Sequence, residues 1–395
     1  MNPLGKVFLK KGKEFSIERF HPWIFSGAIN RIDGAVSDGC WVEVFSHQNK
    51  CLGFGHYQEG SITVRMLSFG PTPPSIDFWS SRVSAALELR KCAALPSAIT
   101  DCYRLIHGEG DGLSGLIIDY YEGVAVLQAH SYGMHEDRKE ISAALENVFG
   151  TALRSVFYKS QSTLNGRTKI ENRDEYLFGM GGVPHIIAEN GNKFYVDWEE
   201  GQKTGFFLDQ RENRKLLGEY STGKRVLNTF CYTGGFSIYA INGGAELVHS
   251  VDSSEKAIAL TRQNIELNHF DNHRHPSYAS DAFDFIKDKK DEYDVIVLDP
   301  PAFAKHRDAR HQAVKGYQRL NAEAMRAIRN GGLIFTFSCS QVVDRKLFYD
   351  TVVSSAIHSG RNIKVLHHLA QPVDHPVSIY HSEGEYLKGL VLYVE

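Results

Sequence analysis

A cysteine and an aspartate each follow an apolar run of the kind that forms a buried strand. Cys339 comes near the end of "GGLIFTFSCS" (331–340), and Asp299 follows "VIVL" in "VIVLDPPAF" (295–303). A thiolate is an effective nucleophile, and a carboxyl group can hold or release a proton beside it. The alternatives are a small buried apolar residue for Cys339 and a plain strand-ending turn for Asp299. The choice depends on whether the fold brings the two together.

From about residue 222 onward, apolar strands alternate with segments of helical spacing. The strands are "RVLNTF", "ELVHSVD", "YDVIVLD" and "GGLIFTFS". This repetition predicts a parallel sheet with helices on both faces. Ligands bind such sheets beyond the carboxyl ends of the strands, near the point where the strand order reverses. Asp299 and Cys339 would therefore stand at the ligand-binding edge.

The first of these strands runs into "NTFCYTGGF", where Gly234 and Gly235 allow a tight turn close to a ligand. The dinucleotide fingerprint GxGxxG is absent, which disfavours a nicotinamide or flavin enzyme. Asp252 and Asp281 follow at the ends of the next two strands, suited to ribose hydroxyls and to an exocyclic amine. This combination favours S-adenosylmethionine as the cofactor. The alternative for each acid is a helix N-cap.

The D-P-P-F type of loop is used by methyltransferases that act on amino groups or on bases, and the strand after it is its neighbour in their sheets. Carbon 5 of a pyrimidine becomes nucleophilic when a thiolate adds to carbon 6. Asp299 could assist by sharing a proton with ring nitrogen 3. Cys339 is therefore the predicted nucleophile. Cys231 lies in the glycine turn itself, where it would face the cofactor, and we interpret it as structural.

The chain of 395 residues is long enough for two or three domains. Short strands and turns before "GPTPPS" (70–75) predict a small β-barrel or sandwich over residues 1–72. A mixed α+β domain is expected over 73–190, with a hairpin over "ENGN" (189–192) opening the next unit. Residues 191–395 would form the α/β domain. The predicted fold class is therefore α/β, with a β-barrel, an α+β domain and a Rossmann-like domain in that order.

Charge and cysteine usage restrict the class of protein further. The net charge of −3 shows no global preference for nucleic acid, although five of the eight Lys and Arg among the first 72 residues precede residue 20. Six scattered cysteines without a CxxC pair indicate neither a zinc site nor a disulfide framework, so no metal is expected. No secretory leader or apolar span is evident. We expect a cytoplasmic protein that is not bound to a membrane.

Several long motifs, in one order, resemble the ribosomal RNA large subunit methyltransferase I family, which forms 5-methylcytosine in 23S rRNA. They are "RFHPWIFSGAI", "YRLIHGEGDGLSGLIIDYYEG", "GQKTGFFLDQRENR", "VLNTFCYTGGFSIYA", "DPPAFAK", "TFSCS" and "DHPVSIYHSEGEYLKG". The resemblance extends over nearly the whole chain. It implies an N-terminal PUA domain that docks RNA, a middle domain and an S-adenosylmethionine-dependent catalytic domain.

The resemblance also implies roles for individual residues. Cys339 matches the family's nucleophile and Asp299 its DPP acid. Cofactor contacts are predicted for Phe207, Asp209, Gln210, Asn228, Phe230, Thr233, Gly234, Gly235, Phe236, Asp252, Ser253, Asp281, Ala282 and Asp299. Lys305, His375 and Arg211 are predicted to bind the substrate, without a derived chemical role. The expected partner is large-subunit ribosomal RNA, and a homodimer is possible.

Two alternatives remain open at this point. An amino-group methyltransferase acting on an RNA base needs no thiol, and a non-catalytic RNA-binding ribosome assembly protein needs no turnover. A further contrast is that "DPPAF" lacks the second cysteine that another large group of RNA cytosine-5 methyltransferases carries after the proline of this motif. The proton of carbon 5 must then leave to another base or to water, and the sequence does not name that base.

Overall fold

The chain divides into two compact units, of which the computed structural model describes residues 5–164, 173–304 and 307–395. The first unit comprises Met1–His185, Val196–Phe206 and Val373–Gly384, and the second comprises Ile186–Tyr195, Phe207–Pro372 and Glu385–Glu395. Two short segments within 191–395 thus belong to the first unit. The three-domain division with boundaries at 72 and 190 stays a prediction.

The segment 373–384 is attached to the first unit by buried polar contacts. Asp374 is fully buried, and its Oδ2 accepts the backbone N–H of Arg104 at 2.9 Å. The carbonyl of Asp374 accepts a hydrogen bond of 2.8 Å from the buried guanidinium of Arg90. Leaving such groups unpaired would be costly, so these bonds hold the segment in place. Sequence periodicity carries no signal for contacts between positions so distant in the chain.

Six strands form the first sheet of the first unit, as the short apolar runs near the N-terminus predict. In chain order the elements are β1 Gly5–Leu9, α1 Glu14–Glu18, β2 Trp23–Phe25, β3 Ile29–Asp33, β4 Trp41–Phe45, β5 Cys51–Tyr57 and β6 Ile62–Phe69. The order across the sheet is β2-β6-β5-β4-β1-β3, and β1 runs parallel to β4. In β4, Val42 and Val44 are fully buried and the residues between are not. This period of two places one face on a core.

A second sheet of five strands completes the first unit. Its elements are α2 Phe78–Cys92, β7 Cys102–His107, β8 Leu116–Tyr121, β9 Val124–Ala129, α3 Tyr132–Glu136, α4 Arg138–Phe149, β10 Ser155–Tyr158 and β11 Glu175–Gly179. The order is β11-β10-β9-β8-β7, with β9 and β10 parallel and connected through α4. Ile141 and Leu145, four residues apart on α4, are fully buried. This is the α+β arrangement expected for the middle of the chain.

The second unit contains a hairpin and a seven-stranded sheet. Its elements are β12 His185–Glu189, β13 Asn192–Val196, α5 Arg211–Glu219, β14 Arg225–Thr229, α6 Gly235–Asn242, β15 Leu247–Asp252, α7 Glu255–Leu267, β16 Ser277–Ala279, α8 Ala282–Lys287, β17 Val295–Leu298, α9 Arg310–Ala327, β18 Gly332–Ser338, α10 Arg345–Ser359, β19 Ile363–Ala370 and β20 Lys388–Val394. The hairpin β12-β13 turns over Asn190 and Gly191, both with positive φ (49° and 81°), as "ENGN" predicts.

The strand order of the large sheet is β16-β15-β14-β17-β18-β20-β19. Strands β14 to β18 are parallel, as predicted, but β20 is antiparallel to both of its neighbours. The four strands named from the sequence are therefore parallel as predicted, and the antiparallel β20 lies beyond them at this edge. A parallel return needs a crossover, usually a helix, and no α-helix lies between β19 and β20 in the described chain. The order reverses between β14 and β17, which predicts a ligand at their carboxyl ends.

None of the helices in the described ranges combines the length and apolar character needed to cross a bilayer.

Candidate active site

A tight turn connects β14 to α6 and contains the two glycines singled out in the sequence. Its backbone is left-handed at Phe230 (φ 55°), Tyr232 (46°) and Gly234 (78°). For residues with a Cβ this conformation costs on the order of 1 kcal/mol or more each, so surrounding contacts must stabilise it. Turns of this kind expose successive N–H groups to a ligand.

Two buried polar side chains of α7 hold the turn in place. Thr261 Oγ1 donates to the carbonyl of Tyr232 at 2.9 Å, and Asn264 Nδ2 donates to the carbonyl of Thr233 at 2.8 Å. A Cβ at Gly234 would lie only 2.8 Å from Thr261 Cγ2, so the position needs glycine. Sequence reasoning missed Thr261 and Asn264. Their polar types at i, i+3 on the buried face of a helix are the signal that could have found them.

Asp252 ends β15 beside the glycine turn. Its Oδ2 accepts the N–H of Tyr232 at 3.0 Å, and its Oδ1 accepts the N–H of Ser254 at 3.0 Å. Ser254, not Asp252, caps α7 through a bond to the N–H of Ala257. The helix-cap alternative is therefore not observed for Asp252. A carboxylate oxygen has two lone pairs, so both oxygens can still accept a hydroxyl of a ribose.

Asp281 caps α8, which was the alternative weighed for it. Its Oδ1 accepts the N–H groups of Phe283 at 2.8 Å and Asp284 at 3.1 Å. The predicted strand does not reach Asp281, because β16 ends at Ala279. Its side chain is exposed. A cap uses one oxygen here, so a cofactor contact through Asp281 stays a prediction.

The segment "GFFLDQR" (205–211) lies against the glycine turn, as the family resemblance implies. The ring of Phe207 meets the ring of Tyr232 edge to face, with centroids 5.2 Å apart. Asp209 is buried, and its Oδ2 accepts the hydroxyl of Tyr386 at 2.6 Å. Gln210 is also buried, and its Oε1 accepts a hydrogen bond of 2.6 Å from Asn213. These contacts rigidify the segment beside the proposed cofactor site.

A fully buried ion pair connects this segment to the β12-β13 hairpin. Arg214 donates from Nε to Glu189 Oε1 at 2.8 Å and from Nη2 to Oε2 at 2.7 Å, and from Nη1 to the carbonyl of Phe207 at 2.9 Å. Tyr239 OH also donates to Glu189 Oε1 at 3.0 Å. Burial lowers the pKa of Arg214, but Glu189 outweighs it and the pKa is raised. A Cβ at Gly235 would lie 3.0 Å from Arg214 Cδ, so the pair supports the turn directly.

The remaining predicted cofactor residues differ in exposure. Asn228 is buried in β14, where its Nδ2 donates to Ser237 Oγ at 2.8 Å. Phe236 is 6% exposed and packs on Phe337. Ser253 is exposed, and Ala282 is buried as the first residue of α8. Their contacts with a cofactor stay predictions.

Asp299 and Cys339 emerge at the same edge of the sheet, on neighbouring strands. β17 ends at Leu298 and β18 at Ser338, and the two strands are parallel with Leu298 opposite Thr336. Ser340 Oγ donates to the carbonyl of Ala304 at 2.8 Å, which ties the loop after β18 to the loop after β17. The prediction that these strands are neighbours is confirmed.

Tyr317 of α9 lies close to both residues. Burial raises the pKa of its hydroxyl, and nearby Cys339 and Asp299 raise it further. Its ring packs on Phe303, at a centroid distance of 4.7 Å, within the "DPPAF" loop. The thiol and the carboxyl group therefore both act on the hydroxyl of one buried tyrosine.

The two thiols of the second unit occupy different environments. Cys339 is half-buried at the sheet edge. Cys231 is 6% exposed, its Sγ lies 3.6 Å from Thr261 Oγ1, and burial raises the pKa of its thiol to about 12. A thiol with such a pKa is almost wholly protonated at neutral pH, and the thiol form is a poor nucleophile. The environment of Cys231 supports its structural interpretation.

The three predicted substrate residues are placed as follows. Lys305 lies outside the described residues. Arg211 is 2% exposed and donates from Nε to Glu212 at 3.1 Å. His375 belongs to the first unit, where it is 1% exposed. Its ring is tilted against that of His107 at a centroid distance of 5.0 Å, and its Nδ1 lies 3.1 Å from Asp374 Oδ1. Direct contact of any of them with a substrate stays a prediction.

Ligand atoms suited to a metal come together at one place in the described first unit. Atoms of His21, His381 and Glu383 lie within 4.8 Å of one another. His381 Nδ1 is already 3.2 Å from Glu383 Oε2, and Glu383 is exposed. Burial lowers the pKa of His381, and no metal role follows from the cluster.

The residues around the turn fit a nucleoside that carries a small charged tail. Asp252 offers carboxylate oxygens at a strand end, and the left-handed turn offers main-chain N–H groups. Asn228 Oδ1 is buried and accepts no hydrogen bond from any described residue. It is a polar atom left for a ligand or a water beside the turn. S-adenosylmethionine has the hydroxyls, amine and charged tail that this donor and acceptor set can bind.

Comparisons with known proteins agree with this reading. The profile of a family described as S-adenosylmethionine-dependent methyltransferase matches residues 103–378, and that of a PUA-like domain matches residues 7–69. Ribosomal RNA large subunit methyltransferase I of Aeromonas hydrophila is 39% identical over 98% of this chain and 99% of its own length. The protein of that name from Escherichia coli K12 is 37% identical, over 97% and 98%.

Solved structures show the same architecture. A protein from Streptococcus mutans assigned as a SAM-dependent methyltransferase superposes with a TM-score of 0.83, at 25% identity over 98% of this chain and 100% of that one. Another structure, of an assigned methyltransferase complexed with SAH, superposes with a TM-score of 0.84 at the same identity and coverage. The sheet order, the glycine turn and the two family matches thus define an S-adenosylmethionine-dependent methyltransferase with an N-terminal PUA-like domain. By the extent of its similarity to the curated relatives, the chain belongs to the ribosomal RNA large subunit methyltransferase I family.

Proposed function

We propose that this protein methylates carbon 5 of a cytosine in large-subunit ribosomal RNA through a covalent bond to Cys339. The observation that carries the proposal is the placement of Cys339 and Asp299 at the ends of adjacent parallel strands, of which the Asp299 strand adjoins the strand that leads into the glycine turn. The relatives' printed name supports ribosomal RNA as the substrate. An amino-group methyltransferase would need the acid and no thiol.

The chemistry divides between these two side chains. The Cys339 thiolate adds to carbon 6 of the ring, and the electrons of the 5,6 double bond become available at carbon 5. Asp299, in its acid form, shares its proton with ring nitrogen 3, which then carries less negative charge. S-adenosylmethionine supplies the electrophilic methyl group. After carbon 5 has gained the methyl group and given its proton to a base or to water, the carbon–sulfur bond breaks and the thiolate is restored.

The direct test maps 5-methylcytosine in 23S rRNA from cells with and without the gene. We expect one position to lose the modification completely in the deletion strain and to regain it when the gene is supplied on a plasmid. An unchanged map would contradict the proposal that this protein forms 5-methylcytosine in 23S rRNA. A lost methyl group on an exocyclic amine instead would point to the amino-group alternative.

The PUA-like domain supplies a surface suited to RNA. Phe20 and Phe25 are 49% and 45% exposed there, and Lys10, Lys13 and Arg19 are exposed cations of the same domain. Exposed aromatic rings stack on unpaired bases, and cations contact phosphates. A surface cavity of about 470 Å³ is lined by Gly12, Lys13, Ser16, Trp23, Ile24, Phe25, Gly27 and Ala28. We propose that an RNA base enters this cavity and stacks on Phe25.

Replacement of Phe25 by alanine should therefore weaken RNA binding by about 1 to 3 kcal/mol, the usual contribution of one stacked base. Fluorescence anisotropy with a labelled 23S rRNA fragment at fixed salt measures the change. Phe15→Ala is the matched control, because Phe15 is 59% exposed and does not line the cavity. Equal affinities of the Phe25 and Phe15 variants would contradict a stacking role for Phe25.

A further inference from the structure

Lys388 is a buried cation beside the proposed nucleophile. It opens β20, and its Cα is paired with that of Ser338, the residue before Cys339. The side chain is only 4% exposed. Lysine is seldom buried so completely unless an anion or a set of hydrogen bonds compensates its charge.

The hydrogen bonds of Lys388 go to neutral groups. Nζ donates to the carbonyl of Ser340 at 2.7 Å and to the carbonyl of Tyr386 at 2.8 Å. Within residues 5–164, 173–304 and 307–395 the ammonium forms no ion pair with a carboxylate. The carbonyl of Ser340 belongs to the loop that carries Cys339, so the ammonium is held at the loop by its own hydrogen bond. A buried positive charge with only neutral partners favours an anion nearby.

The charged groups around Lys388 come from three elements. Burial lowers the pKa of its ammonium to about 8, and Cys339 acts against this by favouring the charged form. Arg345 at the start of α10 also lowers the pKa, whereas Asp344 and Glu385 raise it. With a pKa near 8 the ammonium is still mostly charged at pH 7. Cys339 favours the charged form of Lys388 more strongly than the carboxylates of Asp344 and Glu385 do.

We propose that Lys388 is a positioning residue that keeps the thiol of Cys339 in its thiolate form before the substrate binds. The inference rests on the proposed function in taking Cys339 as the nucleophile. A cation beside a cysteine lowers the pKa of the thiol, because the ion pair stabilises the thiolate and not the thiol. The hydrogen bond of Nζ to the Ser340 carbonyl holds the ammonium at the loop that carries Cys339. Lys388 acts through Cys339 and need not touch the RNA.

The test measures the pH dependence of alkylation of Cys339 in the full-length protein, without RNA. Iodoacetamide is added between pH 5.5 and 10, and the rate at the Cys339 peptide is followed by mass spectrometry. In the wild type we expect the rate to rise with an inflection at or below pH 7.5, at least one unit below that of a free cysteine. Lys388→Met should move the inflection up by at least one unit, a tenfold loss of thiolate at low pH. Lys388→Arg should keep the low value.

Lys364→Met is the matched control, since Lys364 is an exposed lysine of the neighbouring strand β19 that pairs with Glu395. It should leave the profile of Cys339 unchanged. Identical profiles of wild type and Lys388→Met would overturn the proposal. If Lys388→Met does not fold, the alkylation profile of the wild type still tests the proposal. An inflection at pH 8.5 or above would contradict a thiolate that forms before the substrate binds.

The same data separate this inference from the proposed function. Suppose that the inflection is low and depends on Lys388, but the 5-methylcytosine map is unchanged. This result would support the effect of Lys388 on Cys339 and contradict 23S rRNA as the substrate. A 5-methylcytosine that is lost on deletion of the gene, together with identical alkylation profiles of wild type and Lys388→Met, would support the proposed function and contradict the role of Lys388.

Discussion

Cys339→Ala is expected to lower the rate of cytosine methylation by on the order of 10⁴-fold or more, the scale seen when a covalent nucleophile is removed. Carbon 5 of cytosine is too weak a nucleophile without addition at carbon 6, so the remaining residues cannot take over the step. Binding of S-adenosylmethionine should change little, because the glycine turn and Asp252 lie on other strands. Methyl transfer from radiolabelled cofactor to 23S rRNA measures the rate, and calorimetry measures the binding.

The covalent bond itself can be trapped. RNA in which the target cytosine carries fluorine at carbon 5 cannot lose a proton there, so the adduct should persist through denaturing electrophoresis. The wild type should form this band and Cys339→Ala should not. Cys92→Ala is the matched control, since Cys92 is an exposed thiol of α2 in the other unit. Normal turnover by Cys339→Ala would reject the covalent mechanism and favour transfer to an amino group.

The second large effect is expected from Arg214→Met, which should lower the free energy of unfolding of the second unit by about 3 to 5 kcal/mol. The substitution leaves Glu189 charged, fully buried and without its two charged hydrogen bonds. It also removes the bond to the Phe207 carbonyl, so the affinity for S-adenosylmethionine should fall as well. Tryptophan fluorescence is unsuitable here, because all four tryptophans belong to the first unit.

Hydrogen exchange of peptides from β14 and α6 in increasing urea measures the second unit separately. Lys215→Met, an exposed neighbour on the same helix, should change stability by less than about 0.5 kcal/mol. The double variant Arg214→Met with Glu189→Leu should recover part of the loss, because no uncompensated charge then remains. Equal stability of the Arg214 and Lys215 variants would show that the buried pair contributes little.

Much of the catalytic sheet could be predicted from periodicity. Alternating apolar strands and amphipathic helices identified the parallel strands, because burial on both faces demands continuous apolar runs. The positions of Asp252, Asp299 and Cys339 at strand ends, and of Gly234 in the turn after the first of these strands, followed from the same pattern. The antiparallel direction of β20 did not, since an apolar strand reads the same in either direction.

The limits of prediction were clearest for buried charges. Arg214 and Lys388 look like ordinary surface residues in the sequence, and only their spacing relative to apolar neighbours could have marked them. Arg214 lies three residues before the buried Leu217 on α5, and Lys388 begins an apolar strand. Asp281 shows the converse case: an acid near a strand end suits a cofactor site and a helix cap equally well, and the local backbone decides.

The sequence by itself determined the class of chemistry, because a thiol, a strand-end acid and a glycine turn restrict which reaction the site can perform. Its motifs also determined the family. Only the tertiary structure decided which groups meet: that the Cys339 loop is bonded to the loop of Asp299, that Cys231 is buried with a raised pKa, and that the ammonium of Lys388 is bonded to the loop that carries Cys339. The physical reason is that burial and charge proximity depend on contacts between residues far apart in the chain, which no local pattern records.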